Sequence, residues 1–219
     1  TCCTNGGQLV VPIPTEGGMT AKIIFIGDSI TKGTSYGGVS VTDTFAYKIG
    51  ISSGYAPTDI INAGANSDTS AGILARLNAD VISKSPAVCV VMVGMNDWQN
   101  GVTVASYASN IGAIFDALTA GGITVVALTS NMQRGSTAAI FGFQPFLRVF
   151  ENAAAARGIH IVDLYREVGT SYLYLSATQF YANYVDAVHL SKAGHLFVAE
   201  LAARACHSKA FVTGIEAIL

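Results

Sequence analysis

Charge is scarce in this chain. Of 219 residues, only 12% are Asp, Glu, Lys or Arg, about half the usual share of roughly 25%. The net charge is −2 and no Lys/Arg cluster occurs, so the basic track that a phosphate backbone requires is missing and a nucleic-acid partner is excluded. Long apolar runs are missing too. Ala87–Met95 falls far short of the roughly 20 residues of a membrane-spanning helix. Disorder is excluded from the opposite side, because 51% of the residues are hydrophobic and disordered chains lack them. Cysteine is sparse and unpatterned. Cys2, Cys3, Cys89 and Cys206 show neither C-x-x-C nor Cys/His ligand spacing, so no cysteine metal site is expected. Cys89, in an apolar run, reads as a buried thiol. A link from Cys2 or Cys3 to Cys206 stays open.

What is present is a strand–helix alternation. After an irregular lead-in over residues 1–20, short β-branched apolar runs predict strands at Lys22–Ile26, Ile60–Asn62, Ala87–Val93, Ile123–Thr129 and Ile159–Leu164. Helical spacing falls between them at about 42–53, 68–84, 103–120 and 138–157. A last helix is expected from Ser191, a good N-cap residue, to His207. Arg166–Val185 reads as irregular and Tyr-rich. Near-continuous apolar strands need a sheet covered on both faces. The alternation therefore predicts an α/β class, a three-layer α/β/α sandwich with a mostly parallel five-stranded sheet, as one domain over 21–219.

Ligands of such sheets bind beyond the carboxyl ends of the strands, and four polar islands stand there: Gly27-Asp28-Ser29, Asn62-Ala63-Gly64-Ala65-Asn66, Gly94-Met95-Asn96-Asp97 and Asp186-Ala187-Val188-His189. Their chemistry is complementary. A serine hydroxyl needs a base to become a nucleophile. An imidazole can take and return a proton near neutral pH. An aspartate three residues before it can fix its tautomer. The backbone amides of Ser29 and Gly64 and the side-chain amide of Asn96 are candidate oxyanion donors. Each residue also has a bland explanation: Ser29 as a helix cap, Gly64 as a turn glycine, Asn96 as an Asx turn, Asp186 and His189 as a surface turn pair. Asp28 is expected to order its own loop and Asp97 to cap the segment that follows it. His160, His195 and His207 find no matching partners.

In those four blocks, taken in order, the chain resembles the SGNH hydrolases of the GDSL esterase/lipase superfamily, over about residues 21–207. The resemblance implies a flavodoxin-like fold with Ser29 as nucleophile, His189 as base, Asp186 as acid, and Ser29, Gly64 and Asn96 around the oxyanion. One departure is Ile30, where the family name carries Leu; that residue should pack inward. Two segments are candidates for shaping the substrate site. Asn131–Phe146 holds Met132, Arg134, Phe141 and Phe143, and Tyr172–Tyr184 holds Tyr172, Tyr174, Phe180, Tyr181 and Tyr184. Arg134 and Tyr184 are the substrate contacts put forward, with plain packing on the sheet as the alternative for the aromatics.

The expected activity is hydrolysis of a small-molecule ester or an acetylated carbohydrate, without metal or organic cofactor. The expected acyl group is small, since no long amphipathic lid segment stands out. The alternatives are a lipase or thioesterase for longer chains and a carbohydrate-binding module with a silent triad. A phosphate or flavin binder is disfavoured, because Gly27–Gly33 matches neither the dinucleotide fingerprint nor the Walker loop. A start at Thr1 without an apolar signal stretch fits a processed protein or a domain of a larger extracellular, cell-surface or virion-associated chain.

Overall fold

The computed structural model describes residues 21–134, 137–172 and 177–206. The lead-in over 1–20, the Cys2 or Cys3 link to Cys206, Tyr174 and His207 lie outside them. The chain runs β1 (Ile23–Gly27), α1 (Ser29–Lys32), α2 (Phe45–Ser52), β2 (Ile60–Gly64), α3 (Ser70–Asp80), β3 (Val88–Met92), α4 (Met95–Gln99), α5 (Val104–Ala120), β4 (Thr124–Leu128), α6 (Thr137–Ala155), β5 (His160–Val162), α7 (Leu164–Tyr172), α8 (Ala177–Tyr181) and α9 (Lys192–Cys206). The five strands form one sheet in the order β2-β1-β3-β4-β5. Every pairing among them is parallel, where the sequence led to a mostly parallel sheet.

Burial explains the order. The central strand β3, Val-Cys-Val-Val-Met, and its neighbour β1, Ile-Ile-Phe-Ile-Gly, are buried along their whole length, whereas the edge strand β2 is half-buried throughout. Continuous apolar strands need helices on both faces. The pair α2 and α9 packs together, as do α3 with α5 and α5 with α6. Cys89 sits inside this core as a free thiol, and burial pushes its ionisation well above the ordinary value.

Side-chain caps set the helix limits. Thr44 Oγ1 accepts from Tyr47 N at 3.3 Å, Thr69 Oγ1 from Gly72 N at 3.3 Å and Ser191 Oγ from Gly194 N at 3.1 Å. Each satisfies an amide that the first helical turn cannot. Residues 42–53 are accordingly a 3-10 turn over Val41–Asp43 followed by α2, not one helix. The expected irregular stretch Arg166–Val185 instead carries most of α7 and all of α8. Asp163 starts α7 by accepting from Arg166 N at 3.0 Å and from Arg166 Nε at 2.7 Å. The same cap cuts β5 to three residues.

The strand ends align. Gly27 stands beside Gly64 on one side and Met92 on the other. In this order the chain reverses direction across the sheet between β1 and β3, and the crevice there is where open α/β sheets bind ligands. Ser29 follows β1 and Asn96 follows β3.

Candidate active site

Ser29 is the first residue of α1, with Asp28 as its N-cap; Asp28 Oδ1 accepts from Ile30 N at 2.9 Å. That cap gives Asp28 the loop-ordering part expected of it. Gly27 packs so closely on Thr31 and the Met92 carbonyl that a side chain there would collide with both. The strand therefore turns straight into the helix and lifts Ser29 onto the rim, with 6% of its surface exposed.

The candidate base, His189, comes from the far end of the chain. Tyr184 and Leu190 form an isolated antiparallel bridge, and Val185 N donates to His189 O at 2.9 Å. This closure folds Asp186 back on His189. Asp186 Oδ1 accepts from Val188 N at 2.9 Å and His189 N at 2.8 Å, and Oδ2 pairs with His189 Nδ1 at 2.7 Å. The other ring nitrogen, Nε2, lies 2.9 Å from Ser29 Oγ. Partial burial raises the Asp186 carboxyl, but the His189 and Val188 amides and the His189 ring outweigh it and hold the group below the ordinary carboxylate value. An ionised Asp186 places the proton of the neutral ring on Nδ1 and leaves the Nε2 lone pair facing the serine. The loop after β4 clamps this turn: Asn131 Nδ2 donates to Val188 O at 3.2 Å and Arg134 N to Ala187 O at 2.7 Å.

The candidate oxyanion donors divide. The Ser29 amide belongs to the first turn of α1, whose N–H groups have no partner within the helix. Asn96 is half-buried and gives one Nδ2 hydrogen to Asp68 O at 2.9 Å; an amide nitrogen carries a second. Gly64 needs correction. Its N–H is already donated to Asn62 Oδ1 at 3.0 Å, and a Cβ there would run into the Lys32 amide nitrogen. Gly64 lets α1 lie against the end of β2; it does not present a free donor. Asp97 is also corrected. It caps α3 rather than the segment after it, accepting from Ser70 N at 2.9 Å and from Ser70 Oγ.

Tyr184, expected to touch substrate, is buried, and its hydroxyl donates to the Met132 carbonyl. It ties the two loops behind the triad together. Arg134 is exposed and stacks over the Tyr181 ring at 4.7 Å, and Tyr181 is 39% exposed. Among the other aromatics, Phe143 and Phe180 are core residues and Phe141 faces solvent. The side chain of Tyr172 lies outside the described residues.

His195 does have a partner. It is buried, its Nδ1 accepts from Phe45 N at 3.3 Å, and its ring stacks on Phe45. Burial lowers its pKa to about 4, so it is a neutral core group. Among the described residues, no three His, Cys, Asp or Glu side chains converge as a metal set, and no helix is long and apolar enough to cross a membrane. A cleft of about 550 Å³, lined in part by Arg148, Glu151, Asp163 and Arg166, holds none of the triad residues.

Three residues around the site are not announced by the sequence motifs. Arg76 on α3 donates to the carbonyls of Ala63 at 2.8 Å and Gly27 at 3.1 Å and to Asp68 at 2.7 Å, stitching the ends of β1 and β2 to the loop behind Asn96. Ser67 holds a left-handed backbone, φ 58°, which a non-glycine residue adopts at a cost. Tyr36 stacks on His189. Only Ser67 left a trace in the sequence, being set in a run of small polar residues.

Residues 25–196 match the family model described as the GDSL-like lipase/acylhydrolase family. Among curated proteins, esterase TesA of Pseudomonas aeruginosa is 28% identical over 165 residues, covering 74% of this chain and 79% of that protein. Among solved structures, Axe2, an acetylxylan esterase from Geobacillus stearothermophilus, superposes with a TM-score of 0.73 at 22% identity, covering 88% of this chain and 96% of that one. The acetyl xylan esterase AlAXEase gives 0.72 at 21%, covering 85% and 100%. The lipase/acylhydrolase from Enterococcus faecalis gives 0.68 at 24%, covering 84% and 94%.

Proposed function

The chain belongs to the GDSL-like lipase/acylhydrolase family, and from that premise we propose that it is a serine esterase that removes a small acyl group, acetyl, from a carbohydrate. The observation that carries the reading is the unbroken relay from Ser29 Oγ through His189 to Asp186, with links of 2.9 and 2.7 Å. Ser29 Oγ attacks the ester carbonyl carbon while His189 Nε2 takes its proton. The carbonyl oxygen becomes an oxyanion, and the Ser29 amide and the Asn96 Nδ2 hydrogen stabilise it. His189 then protonates the departing alcohol, leaving an acyl group on Ser29. Water attacks that ester, His189 takes the water's proton, and the proton returns to Ser29 Oγ as the carboxylic acid leaves.

Two observations support acetyl on a sugar. Two of the solved structures that share this fold are acetylxylan esterases. Arg134, exposed and stacked over the Tyr181 ring beside the Asp186–His189 turn, offers guanidinium donors to which sugar hydroxyls can bond. The test has two arms. Ser29→Ala should abolish both hydrolysis of aryl acetate and covalent labelling by a fluorophosphonate; persistent labelling would remove Ser29 as nucleophile. On aryl esters of rising chain length, rates should fall steeply beyond butyrate, and acetylated polysaccharides should release acetate. Rates that rise with chain length would instead make the protein a lipase or thioesterase.

A further inference from the structure

The loop over residues 33–39, between α1 and the 3-10 turn, carries Tyr36. Its ring lies on the His189 imidazole with centroids 3.5 Å apart and planes inclined by 14°. Anchors on two sides hold it there. Ser35 Oγ donates to Asn66 Oδ1 at 3.2 Å, on the loop after β2. Gly37, at φ 58°, sits so near Val185 that a Cβ would meet its methyl carbons at 3.2 Å, and Val185 in turn bonds the His189 carbonyl.

Centred, nearly parallel stacking is the arrangement that two neutral rings favour least, because both faces carry negative charge density. A cation over the same face is attracted. His189 becomes a cation when it takes the Ser29 proton, in acylation, and again when it takes the proton of water. The stack therefore strengthens on the way to each tetrahedral intermediate, and an interaction that is stronger in the transition state than in the ground state accelerates the chemistry. The groups that face the imidazole are Asp186 at Nδ1, Ser29 Oγ at Nε2 and the Tyr36 ring on its face. The first two fix the ring edge-on; Tyr36 blocks its rotation out of that plane.

We propose that Tyr36 is a positioning residue of the hydrolase: its ring closes one face of His189 and stabilises the imidazolium formed in both half-reactions. This rests on His189 being the general base. Tyr36→Phe keeps the π face, while Tyr36→Leu removes it, with Tyr36→Met as a second ring-less variant. On an aryl acetate, Tyr36→Leu should lower kcat roughly three- to tenfold, the range of one lost cation–π contact, with KM within about twofold. The acid limb of its kcat–pH profile should move to lower pH by about half a unit, because the cation has lost its partner. Tyr36→Phe should match the native protein in both. NMR titration of the His189 ring needs no substrate and should show the same downward movement in the leucine variant, so it decides the proposal even if no ester is turned over. A rise in KM alone would make Tyr36 a substrate platform and overturn the proposal. Equal losses in the phenylalanine and leucine variants would move the effect to the hydroxyl and overturn it as well. An unmoved NMR titration would do the same.

Discussion

Replacing Asp28 by asparagine should stabilise the protein in alkaline solution and leave it unchanged in acid. Asp28 is 2% exposed. Burial raises its carboxyl from 3.8 to about 7; the Ile30 amide opposes this, and the Asp68 and Asp97 carboxylates add to it. In the unfolded chain the group titrates near the ordinary value of about 4. Between about pH 4 and 7 the folded state thus holds a proton that the unfolded state has lost. The stability this group contributes is complete below pH 4 and is lost as pH rises through 7. Three units at about 1.4 kcal/mol each make the loss roughly 4 kcal/mol. Asparagine carries no charge and keeps an oxygen for the Ile30 amide, so the cap survives. Urea unfolding of both proteins from pH 4 to 9 should give a difference near zero at pH 4 that grows through pH 7 and levels off above it. A difference that does not change with pH would refute the reasoning, since Asp28 would then ionise as freely folded as unfolded.

Asn96→Ala should lower kcat about 10²–10³-fold, the usual effect of losing one oxyanion donor; a change under threefold in steady-state kinetics would take Asn96 out of the hole. Gly64→Ala should destabilise the fold, because the new methyl meets the Lys32 amide at the start of the sheet rim; a variant with native Tm and native activity would show that α1 can slide on β2. His195→Gln should be most destabilising above pH 6.5, where the buried neutral ring contributes fully. Because folding lowers that ring's pKa from 6.5 to about 4, its contribution is lost as pH falls across that interval, and the difference between the two proteins should shrink by roughly 3 kcal/mol. Denaturant titrations at pH 4, 5.5 and 8 read this directly, and a constant difference would mean that the ring is solvated.

Several features that rest on local chemistry were legible in the chain. Apolar runs such as Val88–Met92 specify buried strands, Ser191 announces α9, and the parallel topology follows from strand–helix alternation. The grouping of Ser29, His189 and Asp186 was legible because the three lie at strand ends or just before a helix, where open sheets concentrate ligands. Asp186 and His189 are also only three residues apart. The pairing of Ser29 with His189 spans 160 positions and could be named only from the rule that the strand ends converge. Asp163 and α7 were missed because the pattern around them is that of a polar loop until the Asp163 cap on Arg166 is seen.

The amino-acid sequence by itself determined the fold class and the order of the four blocks, and it nominated Ser29, His189 and Asp186 as candidate nucleophile, base and acid, since these depend on residue type and short-range spacing. The tertiary structure alone decided how each group is spent. It gave the Gly64 amide to Asn62, the Tyr184 hydroxyl to Met132, the Asp97 carboxylate to Ser70 and the Tyr36 ring to His189. The reason is geometric. A hydrogen bond or a ring stack forms over a few ångströms and within a narrow range of angles. Spacing along the chain sets neither once the partners sit on different loops.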